Sequence, residues 1–305
     1  MTACRRNSIY GYDHVYQITL DRGICFYTSS DCLVWFTLFC ILARRYKIRI
    51  LSVCILLNHY HIQLRAPSAQ ALSSFMRDLT AQFTRMYNRR YGLSGRLFLG
   101  QFCNAPKNKE QKIKENYIYI CNNPVVKQAV PRAESYRWNF LAYMESRNPF
   151  SEPTDPENCS ETMRQVLAIV RLRRKAGSPI DYQFFGGLYS KLSDREKRQV
   201  LDYIVMEYNV IDYAEAKRKW GNYQKICEML ATVSGSEYDL AEEYVKEDYR
   251  HYYRMITLSR TAGYDLMSIR LRGLSLSEQY RLALLFRNEA DASAEEITKF
   301  IHAPF

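Results

Sequence analysis

Two histidines separated by one residue, His59 and His61, are the first candidates for chemistry in this 305-residue chain. They begin the segment 59–64, whose residues alternate as in a β-strand, and residues i and i+2 of a strand face the same side. Two imidazoles side by side suit the binding of one divalent metal ion. Taken alone, the pair also fits ordinary structural histidines.

A second candidate lies in the segment 117–125, where Tyr119 precedes Asn123 by four residues. In a helix these two side chains share a face, whereas Tyr117 points nearly the opposite way. A phenol has a pKa of about 10 and becomes a competent nucleophile when a metal or another cation stabilises its anion. Because the chain has 25 tyrosines, a packing role for Tyr119 is the alternative.

The elements that would position these residues follow from periodicity and from turn residues. We predict strands at 15–20, 48–57, 59–64 and 96–102, the second and third pairing as a hairpin. Helices are predicted from an N-cap at 29–31 to about residue 46, at 68–91 and at 110–123, where Pro124 would end or kink the last one. The order β-α-β-β-α-β-α is the split βαβ pattern of ferredoxin-like folds.

The second half of the chain is predicted to be helical. Asparagine, serine and proline residues cluster at 147–156 and favour a domain boundary there. We therefore predict one domain at 1–147 and an all-α domain at 157–305, with helices at 161–175, 193–209, 212–219, 222–232, 237–258 and 275–288. The helices at 275–288 and 293–301 resemble the first two of a helix-turn-helix, which makes DNA binding a possible role of this domain.

Charge is distributed unevenly along the chain. Residues 1–150 contain 21 Lys and Arg against 8 Asp and Glu, and the remainder 22 against 24, so the first half carries +13 and the second −2 of the net charge of +11. A polyanionic partner is expected, with nucleic acid favoured over an anionic membrane surface or plain solubility. Cations interleaved with aromatic residues predict a DNA-binding face at Arg85, Arg89, Arg90, Arg96, Lys107, Lys109, Lys112 and Lys114.

Cysteine usage and hydropathy bear on the compartment. The nine cysteines form no C-x-x-C pair, which indicates reduced thiols and argues against a thiolate zinc site. The apolar run 32–43 is shorter than the ~20 residues that span a bilayer. We predict a cytoplasmic protein with no membrane partner.

Several motifs, in order from His14 to about Val130, resemble the HUH endonuclease superfamily. The likeness is to the single-tyrosine transposases of the insertion-sequence-200-like type and their REP-associated relatives. It is carried by His14-Val15-Tyr16, Arg22-Gly23, Asn58-His59-Tyr60-His61, Tyr87-Asn88, Gly95-Arg96-Leu97-Phe98, Gln101-Phe102, Tyr119-Ile120 and Asn123-Pro124-Val125. It implies an α+β, ferredoxin-like HUH nuclease domain with an antiparallel sheet.

The resemblance also implies a reaction. His59, His61 and Asn123 would hold Mg²⁺ or Mn²⁺, and two imidazole ligands favour Mn²⁺. Tyr119 would attack single-stranded DNA beside a hairpin, leaving a 5′-phosphotyrosine and a free 3′-hydroxyl, so that the enzyme is a DNA nicking and rejoining transposase. Homodimerisation is implied by the resemblance alone.

Two other functions remain open from the sequence. Relatives carry Met-Pro-Asn before the first histidine and Arg-Ala-Gly after Asn-Pro-Val, where this chain has Leu56-Leu57-Asn58 and Val126-Lys127-Gln128. A catalytically weakened protein that binds hairpin or single-stranded DNA is therefore one alternative. The other is a replication initiator or relaxase, which would use a third histidine or a second tyrosine such as Tyr117.

Overall fold

Four strands form the sheet that carries the histidines. The structure, a computed structural model, describes residues 11–155, 159–232, 248–264 and 274–302. The strands are β1 (Tyr12–Ile18), β2 (Arg49–Ile55), β3 (His59–Arg65) and β4 (Cys103–Lys107). They pair antiparallel in the order β2-β3-β1-β4, which is the order of a ferredoxin-like sheet. The predicted α+β fold class is confirmed.

Three helices complete the βαββαβα unit: α1 (Ser29–Arg45), α2 (Ala69–Tyr91) and α3 (Glu110–Val126). A capping box at Thr28 and Asp31 starts α1, because each side chain satisfies a backbone N–H of the first turn. Ser68 caps the N-terminus of α2, and Gly92 ends it in the left-handed conformation at φ 59°, which glycine adopts without strain.

The two faces of the sheet have different roles. Alternate residues of the central strands, such as Val15 and Ile62, join the main core with α1 and α2. The opposite face carries His14, His61 and Gln63, and α3 covers it; Gln63 donates a hydrogen bond from Nε2 to the carbonyl oxygen of Ile113 at 2.8 Å. Because side chains alternate along a strand, one sheet provides both a core face and a polar face.

Three boundaries differ from the sequence prediction. The first strand lies at Tyr12–Ile18 rather than at 15–20, because a short 3-10 turn at Leu20–Arg22 replaces its predicted end. The last strand lies at Cys103–Lys107 rather than at 96–102, where Phe98 forms only an isolated bridge with Thr19. Gly95 and Gly100 adopt positive φ values of 84° and 62°, which interrupt regular pairing, and β4 tolerates Pro106 because it is an edge strand. Helix α3 continues past Pro124 to Val126.

The rest of the chain is helical where it is described, as predicted. Its helices are α4 (Glu161–Lys175), α5 (Tyr182–Gly186), α6 (Asp194–Tyr208), α7 (Tyr213–Trp220), α8 (Tyr223–Thr232), α9 (Tyr249–Thr261), α10 (Leu276–Glu289) and α11 (Ala294–Ile301). The predicted helix at 237–258 lies partly outside the described residues, and its described part is α9. Among the described helices, none has the length and apolarity needed to cross a bilayer.

Side chains from both sides of residues 147–156 share one core. Phe36 of α1, Val166 of α4 and Ile204 of α6 belong to the same buried cluster. The carboxylate of Asp202, on α6, is fully buried and pairs with Arg137. It also accepts hydrogen bonds from Tyr143 Oη at 2.6 Å, Ser151 Oγ at 2.8 Å and the backbone N–H of Phe150 at 3.1 Å. These bonds attach the segment 137–151 to α6; the division into two domains remains a prediction.

A second core brings the last helices to the β2–β3 turn. Tyr249 and Ile256 of α9 are buried in one cluster with Leu56 and Leu57, which lead into His59. Helices α10 and α11 pack against α9 in the same cluster. The C-terminal region therefore packs against the turn that leads into His59.

Candidate active site

Strand β3 brings the two histidines together as their spacing predicts. The ring centroids of His59 and His61 lie 4.9 Å apart, with the rings nearly perpendicular. His61 is fully buried and His59 is 7% exposed. The Nδ1 atom of His59 lies 2.6 Å from Oδ1 of Asn58.

Helix α3 brings the tyrosine and the amide to the same place. The Tyr119 ring lies 5.3 Å from the His61 ring between centroids, and Nδ2 of Asn123 lies 3.2 Å from Nε2 of His61. Tyr119 is partly exposed and Asn123 is buried. Tyr117 is buried on the other side of the helix, where its ring packs against Trp220 at 4.3 Å. Tyr119, rather than Tyr117, is therefore the phenol beside the imidazoles.

A third histidine, His14 on β1, also lies in the site, although its place in the sequence motifs predicts no role for it there. Its Nε2 atom lies 3.0 Å from Nδ1 of His61, and its ring centroid lies 5.6 Å from that of Tyr119. On its other side, Nδ1 lies 2.8 Å from Nδ2 of Asn116. The spacing of Asn116, Tyr119 and Asn123 is three and then four residues, a helical face that was visible in the sequence.

Burial keeps two of the imidazoles neutral. It lowers the pKa of His59 well below its ordinary value, and the charge of His61, followed by Lys127 and Arg22, lowers it further. Burial lowers the pKa of His14 in the same way, with further contributions from His61 and Lys107. A neutral imidazole has a lone pair on one ring nitrogen, which is the form that binds a metal ion.

The ring protons of His14 and His61 constrain the neighbouring amides. If Asn116 and Asn123 both donated from Nδ2, the outer nitrogen of each imidazole would have to accept. If both rings are neutral, the proton of His14 would then lie on Nε2 and that of His61 on Nδ1. Because these two nitrogens face each other at 3.0 Å, two hydrogens in that contact are sterically forbidden. One amide must therefore turn its oxygen toward the imidazoles, and only hydrogen bonding distinguishes the two orientations.

The two solutions differ in what His61 offers. If Asn116 turns its oxygen toward His14, Nδ1 of His14 donates to that oxygen and Nδ1 of His61 donates to Nε2 of His14. The lone pair of His61 then lies on Nε2. If Asn123 turns instead, Nε2 of His61 carries the proton and cannot bind a cation. A metal site requires the first arrangement, with Asn123 giving up its contact to Nε2 of His61 and turning its oxygen to the cation.

The donor set fits a divalent cation. Oδ1 of Asn123 is buried and, within the described residues, has no hydrogen-bond partner, which is costly unless the atom acquires a ligand. Nδ2 of Asn123 lies 3.2 Å from Nε2 of His61, so the amide that carries this oxygen lies beside the imidazole. No group of three or more His, Cys, Asp or Glu side chains in the described part of the chain could hold a metal ion.

The predicted DNA-binding cations divide by exposure. Arg85, Arg89, Arg96, Lys109 and Lys112 are exposed, and Arg90 is half-buried with its guanidinium 6.0 Å from the Tyr182 ring. Lys107 differs because its side chain is only 2% exposed and lies on the face of the sheet that carries His14, two residues along in the β1–β4 register. A surface phosphate cannot reach such an ammonium group without a local rearrangement.

Comparison with known proteins gives the class of this domain. Residues 14–120 match the family model described as "Transposase IS200 like". This segment, which contains His14, both β3 histidines and Tyr119, is similar to IS200-like transposases, and the resemblance seen in the sequence is confirmed.

One solved structure is similar over about half of the chain, and its title is "Structure of the REP associates tyrosine transposase bound to a REP hairpin". The two chains are 18% identical, the match covers 51% of this chain and 93% of the other, and the TM-score is 0.42. No curated protein matches the chain significantly.

Proposed function

We propose that the protein is a metal-dependent, single-tyrosine DNA strand transferase acting on single-stranded DNA beside a hairpin. Tyr119 is the nucleophile, and His59, His61 and Asn123 are the metal ligands. One observation carries the proposal: side chains from two strands and one helix converge, with the Tyr119 ring 5.3 Å from His61 and the Asn123 amide 3.2 Å from the same imidazole.

The reaction exchanges one phosphodiester for another. The Tyr119 oxygen, having lost its proton, forms a bond to phosphorus, and the bond from phosphorus to the 3′-oxygen breaks. The departing oxygen takes up a proton, which leaves a free 3′-hydroxyl and a 5′-phosphotyrosine. Because no water enters, the 3′-hydroxyl of another strand reverses the step, so the same site cuts and rejoins.

The residues of the chain prepare this exchange. His59 and His61 would offer unprotonated nitrogens to the cation, and the partly exposed Tyr119 is accessible to a strand from solvent. A bound divalent cation would supply electrostatic stabilisation to the scissile phosphate and to the leaving oxygen.

DNA binding is assigned to the exposed cations Arg85, Arg89, Arg96, Lys109 and Lys112, together with Arg90. Such side chains follow a phosphate backbone. Lys107, which is buried, is retained only as a contact that local opening would have to expose. A cytoplasmic location and a homodimer belong to the same proposal, the dimer on family resemblance alone.

Trapping of the covalent intermediate tests the proposal. The full chain is incubated with a labelled hairpin oligonucleotide that has single-stranded flanks and with Mn²⁺, then analysed on a denaturing gel. We expect an SDS-resistant adduct that is absent with EDTA and absent in Tyr119→Phe.

Tyr117→Phe is the matched control, because it removes a phenol two residues away that packs on Trp220; its adduct should equal that of the wild type. A shift of the hairpin in native gels with no adduct under any metal would instead identify a non-catalytic DNA-binding protein. Loss of the adduct in Tyr117→Phe alone would assign the nucleophile to Tyr117.

A further inference from the structure

We propose that helix α9 of the C-terminal region is a structural part of the metal site. The hydroxyl of Tyr249, acting through Asn58, holds His59 in the ring tautomer that leaves Nε2 unprotonated. Tyr249 and Asn58 are thus positioning residues for a metal ligand. The inference builds on the proposed function and gives the region beyond the family match a role in it.

The orientation of the Asn58 amide is fixed by its partners. Its Nδ2 donates a hydrogen bond to the backbone carbonyl oxygen of Arg22 at 3.1 Å. A carbonyl can only accept, so the nitrogen of the amide must face Arg22 and Oδ1 must face the other way. There Oδ1 accepts a hydrogen bond from Tyr249 Oη at 3.0 Å.

This orientation determines the tautomer of His59. Its Nδ1 lies 2.6 Å from Oδ1 of Asn58, and because an amide oxygen only accepts, Nδ1 must carry the proton. The neutral ring then has its lone pair on Nε2, the nitrogen left for a cation. A ligating histidine whose other nitrogen donates to an oxygen is the usual arrangement at metal sites.

Tyr249 is anchored well enough to transmit this constraint. Its side chain is fully buried, and its ring meets that of Tyr252 edge-on at 5.9 Å. Its backbone N–H donates to the carbonyl oxygen of Lys127 at 2.9 Å. Lys127 is the C-cap of α3, the helix that carries Asn123. The first residue of α9 is therefore bonded both to the turn before His59 and to the end of the helix that supplies the amide ligand.

Metal affinity of the full chain tests the inference. Mn²⁺ binding is measured by the electron paramagnetic resonance signal of the free ion. Tyr249→Phe keeps the buried ring and removes the hydroxyl, and we expect a dissociation constant about three- to tenfold higher. Asn58→Ala removes the acceptor itself and should raise it about 10- to 100-fold.

Two comparisons separate positioning from a general loss of structure. If Tyr249 acts through Asn58, Tyr249→Phe adds no further loss in the Asn58→Ala background. Tyr253→Phe is the matched control, since it removes a hydroxyl from the same helix whose partner is Tyr136 Oη at 3.5 Å; it should leave the dissociation constant unchanged within twofold. Equal affinities of the wild type and Tyr249→Phe would overturn the inference.

A second measurement needs no metal. With ¹⁵N-labelled histidine, the ring shifts of the metal-free protein report the tautomer of each of its five histidines. We expect His59 to be protonated at Nδ1 in the wild type and in Tyr253→Phe, and to become a mixture of tautomers in Tyr249→Phe. If the wild type binds no Mn²⁺, the proposed function fails, whereas an unchanged tautomer in Tyr249→Phe refutes this inference alone.

Discussion

Replacing His14 with phenylalanine tests the proton arrangement worked out for the buried imidazoles. In the arrangement that suits a cation, Nδ1 of His61 donates to Nε2 of His14, 3.0 Å away. Phenylalanine fills the buried space with a ring of similar size but offers no acceptor. The Nδ1–H of His61 is then buried without a partner, whereas the opposite tautomer can still donate from Nε2 to Asn123.

The size of the effect follows from the cost of that lost acceptor. Leaving a buried donor unsatisfied costs about 1–3 kcal/mol, and each 1.4 kcal/mol is a factor of ten in affinity. We expect the Mn²⁺ dissociation constant of His14→Phe to rise roughly 5- to 100-fold. His251→Phe, which removes a histidine bonded instead to Glu296 at 3.0 Å, is the control and should bind Mn²⁺ like the wild type.

Asn116→Asp tests the direction of the hydrogen bonds that link residue 116, His14 and His61. The two possible directions predict opposite changes in Mn²⁺ affinity. An ionised aspartate can only accept, so it holds the proton on Nδ1 of His14 and thereby the lone pair on Nε2 of His61. The dissociation constant for Mn²⁺ should stay equal to that of the wild type or fall. A weakening comparable to that of His14→Phe would mean that Asn116 donates to His14, which would refute this proton arrangement.

Three further predictions concern the ligand, the DNA and the fold. Asn123→Leu should raise the Mn²⁺ dissociation constant more than tenfold, whereas Asn123→Asp, which keeps an oxygen ligand, should not; equal losses in both would refute a ligand role. Replacing Arg85, Arg89 and Arg96 together with alanine should reduce the slope of log affinity against log salt by about 2 for single-stranded flanks. Lys107→Met should leave this slope unchanged. An unaltered slope in the triple variant would mean that the DNA binds elsewhere on the protein. Asp202→Ala should lower the free energy of unfolding by about 3–5 kcal/mol, since it leaves the guanidinium of Arg137 without its buried partner; a urea titration showing a change under 1 kcal/mol would contradict this.

The sequence predicts which of these side chains lie together because their relations are local. His59 and His61 share a face by the alternation of a strand, and Tyr119 and Asn123 share one by the turn of a helix. These relations need no knowledge of how the elements pack. The hairpin, the split βαβ order and most helix boundaries follow from periodicity and capping in the same way.

What the sequence could not supply depends on packing between distant elements. The roles of His14 and Asn116 require the β1–β3 register and the placement of α3 over the sheet. Tyr249 lies 191 positions from Asn58, and nothing in its local pattern links it to a histidine. The predicted position of the last strand is wrong because the apolar residues 97–99 suggest pairing, whereas the edge strand 103–107 contains Pro106 and no β-branched or aromatic residue.

The central claim is that the phenol of Tyr119 and the imidazoles of β3 act on one phosphate, and end-labelled DNA tests it most directly. A hairpin substrate labelled at its 3′ end is compared with one labelled at its 5′ end, and the protein adduct is digested and mapped by mass spectrometry. We predict that only the 3′ label stays with the protein and that the nucleotide is attached to the peptide containing Tyr119. Retention of the 5′ label, or attachment at any other residue, would contradict the account.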